Sequence, residues 1–136
     1  MTSEKQLHAT FRPTEDSQVT VRARLVGDEG ALLTQSSVGG DADALTVTAF
    51  DLDSDTPETA IYGPVNLSKT TVLFNALQTA GWDGGGGGYN FKDTRTAAQL
   101  LFVGGRSYVL KYKITTTAYG SLYILVRCQA RSVPGV

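Results

Sequence analysis

The chain has 136 residues, 41% of them hydrophobic and 18% charged, with a net charge of −1. That describes one folded domain long enough to bury a core without a metal or disulfide staple, and it leaves no room for a catalytic domain beside a separate binding domain. The single cysteine, Cys128, excludes an intrachain disulfide framework, the single histidine, His8, excludes a multi-histidine metal site, and the small net charge gives no reason to expect nucleic acid or an anionic membrane as partner.

Taken in chain order, Met1–Gln6 is polar, lacks the apolar core of a signal peptide, and reads as a flexible N-terminal arm. No stretch approaches the roughly 18 apolar residues of a membrane span, and synthesis in the cytoplasm is the default expectation. Leu7–Phe11 is a short strand candidate. Val19, Val21, Ala23 and Leu25 then alternate with Thr20, Arg22 and Arg24, the period of a strand with one buried face. Gly27-Asp28-Glu29-Gly30 is a turn, and Val38-Gly39-Gly40-Asp41 precedes the next alternating run, Leu45–Phe50.

Asp51-Leu52-Asp53-Ser54-Asp55 follows and opens like a calcium loop. An EF-hand needs glycine at its sixth position and a bidentate glutamate at its twelfth, where Thr56 and Tyr62 stand. The segment therefore reads as a solvated acidic loop, and no metal is expected. Ala60–Leu67 is a further strand. Ser68-Lys69-Thr70 resembles a helix N-cap region, and Val72, Leu73, Ala76, Leu77 and Ala80 have helical spacing up to Gly81. One short helix, or a strand and turn, is expected there, crossing between sheets.

Gly84–Gly88 is a run of five glycines, too costly in entropy to order inside a strand or helix. It reads as a loop tip between Trp82 and Tyr89, the two aromatics expected to be exposed. It matches neither phosphate fingerprint, since Tyr89-Asn90 stands where a P-loop has Lys-Ser/Thr and no βαβ unit surrounds it. Gln99–Val103 is a short strand candidate. Tyr108–Thr115 and Leu122–Gln129 are strong ones, joined as a hairpin through Ala118-Tyr119-Gly120-Ser121. Leu122, Ile124, Val126 and Cys128 are expected to form one buried face, which Tyr108, Leu110, Tyr112 and Ile114 are not all expected to share. Residues 132–136 read as a flexible C-terminal tail.

These elements make an all-β fold, an immunoglobulin-like β-sandwich of about seven strands with one short helix, occupying residues 7–131. No catalytic triad can be assembled around His8, and Cys128 sits on an apolar face. The expectation is no enzyme and no cofactor. Charge is unevenly distributed: residues 1–62 carry eleven acids and four bases, a net −7, and residues 63–136 carry two acids and eight bases, a net +6. A polar subunit follows, suited to head-to-tail homo-oligomers. The candidate interface residues are Asp51, Asp53 and Asp55 on the acidic side and Arg95, Arg106, Lys111, Arg127 and Arg131 on the basic side.

Several segments carry a resemblance when taken together: Ala49–Pro57, Val65-Asn66-Leu67, Thr71-Val72-Leu73-Phe74, Leu77-Gln78-Thr79, Trp82, Gly88-Tyr89-Asn90-Phe91, and then Gly104–Tyr112. The set resembles small β-rich proteins encoded among the head and neck genes of tailed bacteriophages and prophages. The glycine run and the loop around Val38 fall outside it. The resemblance implies a virion structural protein, made in the host cytoplasm, at the capsid surface, head–tail connector or neck, with other virion proteins as partners. The alternative reading is a carbohydrate- or surface-binding module using Trp82, Tyr89 and the acidic loop.

Overall fold

The computed structural model describes residues 2–11, 18–26, 31–40, 43–82, 87–96, 106–117 and 120–130. The expected strand Gln99–Val103, the candidate Arg131 and the C-terminal tail lie outside them. The strands are β1 (Thr2–Phe11), β2 (Gln18–Ala23), β3 (Leu45–Asp51), β4 (Ala60–Asn66), β5 (Leu73–Gln78), β6 (Tyr89–Thr96), β7 (Ser107–Thr116) and β8 (Gly120–Ala130). A 3₁₀ turn spans Gln35–Ser37, and a single helical turn, α1, spans Lys69–Val72.

The strands form two sheets, one of five strands in the order β1-β8-β7-β3-β4 and one of three in the order β2-β6-β5. Every pairing is antiparallel except β1 with β8, which is parallel. The protein is an all-β sandwich. Thr2–Gln6, expected as an arm, belong to β1 and pair with Ser121–Leu125 of β8. Pairing supplies partners for backbone groups that a polar composition alone leaves to water.

The core lies between the sheets. On one side are Leu45, Val47 and Ala49 of β3, Tyr108, Leu110, Tyr112 and Ile114 of β7, and Leu122, Ile124, Val126 and Cys128 of β8. On the other are Val21 and Ala23 of β2, Leu73 of β5 and Phe91 of β6, with Leu25, Leu33 and Val38 from the connections. The β8 face is buried as expected. The β7 set shares it, contrary to expectation, because the register pairs Tyr112 with Ile124 and Leu110 with Val126, and directly paired residues project to the same side.

The segment after Ser68 departs from the helical reading. Only Lys69–Val72 turns, and Leu73 then pairs with Phe91 as strand. Ala76 and Ala80, which a helix would have buried, are exposed. Thr70, Thr71 and Val72 are β-branched and resist a longer helix, while pairing of Leu73 with Phe91 and of Gln78 with Tyr89 carries the chain on as strand.

Side chains of Gln35, Asn75, Lys69 and above all Asn90 hold the described part of the long connection between β2 and β3. Asn90 is fully buried; its Oδ1 accepts from the Leu25 amide at 2.7 Å, and its Nδ2 donates to the carbonyls of Leu25 at 2.9 Å and Leu33 at 2.8 Å. With the isolated Val26↔Leu32 bridge and the Leu33 amide bond to the Leu25 carbonyl, Asn90 meets the buried polar groups of a segment that lies outside the named strands.

Candidate functional site

Period-two alternation that buries one face of β3, β7 and β8 leaves the other facing out. The register sets the outward residues in three cross-strand rows: Phe50, Val109 and Arg127; Thr48, Lys111 and Leu125; Thr46, Lys113 and Tyr123. Arg127 and Lys113 are exposed, while Phe50, Val109, Leu125 and Tyr123 are only partly covered. The Lys111 ammonium lies 4.8 Å from the centre of the Tyr123 ring, a cation–π contact across the β7–β8 ladder. No carboxylate stands in these rows. A shallow groove of about 310 Å³ runs beside them, lined by Thr46, Thr48, Phe50, Lys111 and Lys113 together with Asp43, Pro64 and Asn66.

The acidic loop lies at one end of the same sheet, between β3 and β4. Asp51 is buried; its Oδ2 takes a charge-assisted hydrogen bond from Arg106 Nη1, and its Oδ1 accepts from the Asp53 amide at 2.9 Å. Asp53 Oδ2 accepts from the Ser107 amide at 2.7 Å, and the Leu52 amide donates to the Ser107 carbonyl at 2.9 Å. The loop is thus pinned to the start of β7. The hydrogen bond and charge of Asp51 raise the Arg106 pKa above its ordinary value.

Asp51 and Arg106, expected on opposing subunits, pair within one chain. The reason is topological: β3, from the acidic half, lies between β4 and β7, and β2 lies beside β6, so the two halves interleave in both sheets. Asp53, Asp55 and Glu58 remain exposed on the loop.

Arg95 is also committed internally. Its Nε and Nη2 donate to the two oxygens of Asp93 at 3.0 and 3.2 Å, and Tyr112 Oη, from the other sheet, donates to Asp93 Oδ2 at 2.7 Å. Burial opposes the Arg95 charge, but the hydrogen bond and charge of Asp93 outweigh it and raise the pKa. Burial, and then the adjacent Asp93, push the Tyr112 phenol well above its usual value. The Phe91 ring meets Tyr112 edge-on at 5.1 Å. This polar link between the sheets was not anticipated; its signal was the parity of Asp93 with the core residue Phe91 along β6.

Of the two aromatics expected to be exposed, Tyr89 is buried, with only 3% of its surface accessible. It sits on β6 with Trp82 at 5.8 Å, Phe74 at 6.0 Å and the Arg22 guanidinium 5.6 Å from its ring centre. These neighbours enclose it, and Trp82 is itself half-buried. They form a packed cluster and not an open stacking platform. Cys128 is buried; its thiol donates a long hydrogen bond to the Val126 carbonyl, and burial pushes its pKa up to about 12. Among the described residues no three histidine, cysteine or acidic side chains converge as metal ligands, and no helix is long and apolar enough to cross a membrane.

A scan against protein-family models, a search of curated proteins and a search of solved structures each returned no match to this chain.

Proposed function

We propose that this chain is a non-enzymatic assembly subunit with an immunoglobulin-like fold, which joins head-to-tail to copies of itself within a tailed-phage particle. The observation that carries the reading is the outer face of the five-stranded sheet. Across β3, β7 and β8 it combines partly covered apolar groups, Phe50, Val109, Leu125 and Tyr123, with the cations Lys111, Lys113 and Arg127, which outnumber the acids Glu4, in register with Tyr123, and Asp43, in the adjoining groove. Stable contact surfaces pair an apolar centre with a charged rim that sets register. The exposed Asp53, Asp55 and Glu58 supply the complementary charge on a different part of the same molecule. Two unlike patches make a heterologous contact, which propagates as rings or filaments.

The strand order supports the fold reading. With β2 through β8 taken as strands B, C, C′, D, E, F and G, the sheets read G-F-C-C′ and B-E-D, the immunoglobulin layout, with the first strand moved to the G edge. The inter-sheet disulfide of antibody domains has no counterpart, and the Tyr112–Asp93 hydrogen bond links the sheets instead. The resemblance of Ala49–Phe91 to phage head and neck proteins supplies the virion setting. Non-enzymatic action is supported by the fate of the reactive groups, since Cys128 is a buried thiol and Asp93 is neutralised by Arg95.

Sedimentation velocity between about 1 and 100 μM protein tests this reading. Concentration-dependent association that weakens between 50 and 500 mM salt is expected. A monomer across that range contradicts self-assembly.

A further inference from the structure

Strand β6 outruns its neighbour. It pairs along its length with β2, from Phe91↔Ala23 to Thr96↔Gln18, but on its other side the ladder to β5 ends at Leu73↔Phe91. Beyond that point the chain of β5 has already turned away into α1. Lys92, Asp93, Thr94 and Arg95 therefore face a groove of about 480 Å³ on that side. Its opposite wall is Asn66, Leu67, Ser68, Thr71, Val72 and Phe74, from the end of β4, the crossing segment and the start of β5.

Two features make this groove a strand acceptor. Along any strand the backbone N–H and C=O groups of successive residues point alternately to either side, so a stretch paired on one side presents half of them on the other. Four residues span roughly 13 Å at the rise of a strand, enough for an extended peptide to lie alongside. The side chains then set the chemistry of the occupant. Arg95 spends two of its five N–H groups on Asp93, and Lys92 has no partner among the described residues. With Arg95 paired to Asp93, Lys92 leaves the groove one positive charge in excess, beside the apolar Leu67, Val72 and Phe74.

We infer that β6 accepts an extended acidic peptide segment of a partner protein as an added strand, between β6 and α1. Backbone hydrogen bonds along Lys92–Arg95 hold it, a carboxylate on the outward side of the added strand meets Lys92, and the alternate, inward apolar side chains settle on Leu67, Val72 and Phe74. The inference rests on different charged groups from the assembly face, those of β6 in the three-stranded sheet, although Asn66 at the end of β4 borders both grooves.

The test is a titration of the ¹⁵N-labelled full chain with the blocked peptide acetyl-Thr-Val-Asp-Val-Thr-Val-amide, followed by amide shifts. Three comparisons accompany it: the peptide with Lys in place of Asp, the same peptide N-methylated at alternate residues, and the protein variant Lys92→Glu. The inference expects shifts concentrated at Lys92–Arg95 and in α1, with affinity at least tenfold weaker in each of the three comparisons. Sedimentation of Lys92→Glu should match the parent chain, which separates failure here from failure of the assembly reading. Absence of shifts at millimolar peptide overturns it. So does equal binding of the N-methylated peptide, which would mark a site for anions or side chains alone, and so do shifts centred on β2 or β4.

Discussion

At the scale of the residue, three buried polar groups bear more of the structure than their number suggests. Asp93 is held by Arg95 and Tyr112, so losing one partner strands a charge or lone pair in the core. Tyr112→Phe should cost about 1.5–3 kcal/mol, the worth of a hydrogen bond to a charged group, and Asp93→Ala about 3–5 kcal/mol, because it leaves Arg95 without its counter-ion. Urea denaturation measures both. Asn90→Ala removes three hydrogen bonds from the Leu25 and Leu33 backbone and should cost more than about 2 kcal/mol by the same assay. Alkaline pH should also act on the core. The Cys128 thiol is pushed up to about 12 and the Tyr112 phenol is raised as well, both first by burial. Each ionises more readily in the unfolded chain. Their contribution is therefore complete below pH 9 and is lost as pH climbs toward 12. Thermal melts should show Tm falling across that window, and Cys128 should resist alkylation at pH 8 until the chain unfolds.

At the scale of the element, strands with two unlike faces were legible and strands without them were not. In β7 and β8 buried apolar residues alternate with positions that include Lys111, Lys113, Arg127 and Gln129, so both strands, the hairpin and the buried face of β8 were readable from sequence, while the face of β7 was not. Ile124 is completely buried there, and Ile124→Ala should cost about 2–5 kcal/mol by denaturant unfolding. A loss below ~1 kcal/mol would contradict the register. In β5 the alternation is weak because only Leu73 is fully buried, so the accidental helical spacing of Val72, Leu73, Ala76, Leu77 and Ala80 dominated. The glycine run concealed β6 in a different way. It suggested an exposed tip at Tyr89, yet Gly88, at φ +139°, lies so close to the Gln78 carbonyl that a Cβ there would collide with it. That close approach brings Tyr89 into its enclosure beside β5. The interleaving of the acidic and basic halves is a property of topology, which charge counting along the chain does not contain.

At the scale of the molecule, interleaving removes Asp51, Arg95 and Arg106 from the set of interface charges and leaves a narrower polarity. The basic outer sheet face, with Lys111, Lys113 and Arg127, stands against the acidic loop with Asp53, Asp55 and Glu58. Exposed charges act over about one Debye length, ~10 Å at 0.1 M salt, so they select partner and register while the apolar residues between them hold the contact. The central claim is that two different patches of one chain meet. Its most direct measurement is sedimentation velocity of two variants, alone and mixed. One carries Lys111→Gln, Lys113→Gln and Leu125→Glu on the sheet face, and the other carries Asp53→Asn, Asp55→Asn and Glu58→Gln on the loop. Each alone should sediment as a folded monomer. Mixed in equal amounts they should give a dimer and nothing larger, because each supplies the intact patch that the other lacks and only one contact can close. Association by either variant alone at the parent level, or two monomers that stay apart on mixing while the parent chain assembles, would contradict the account.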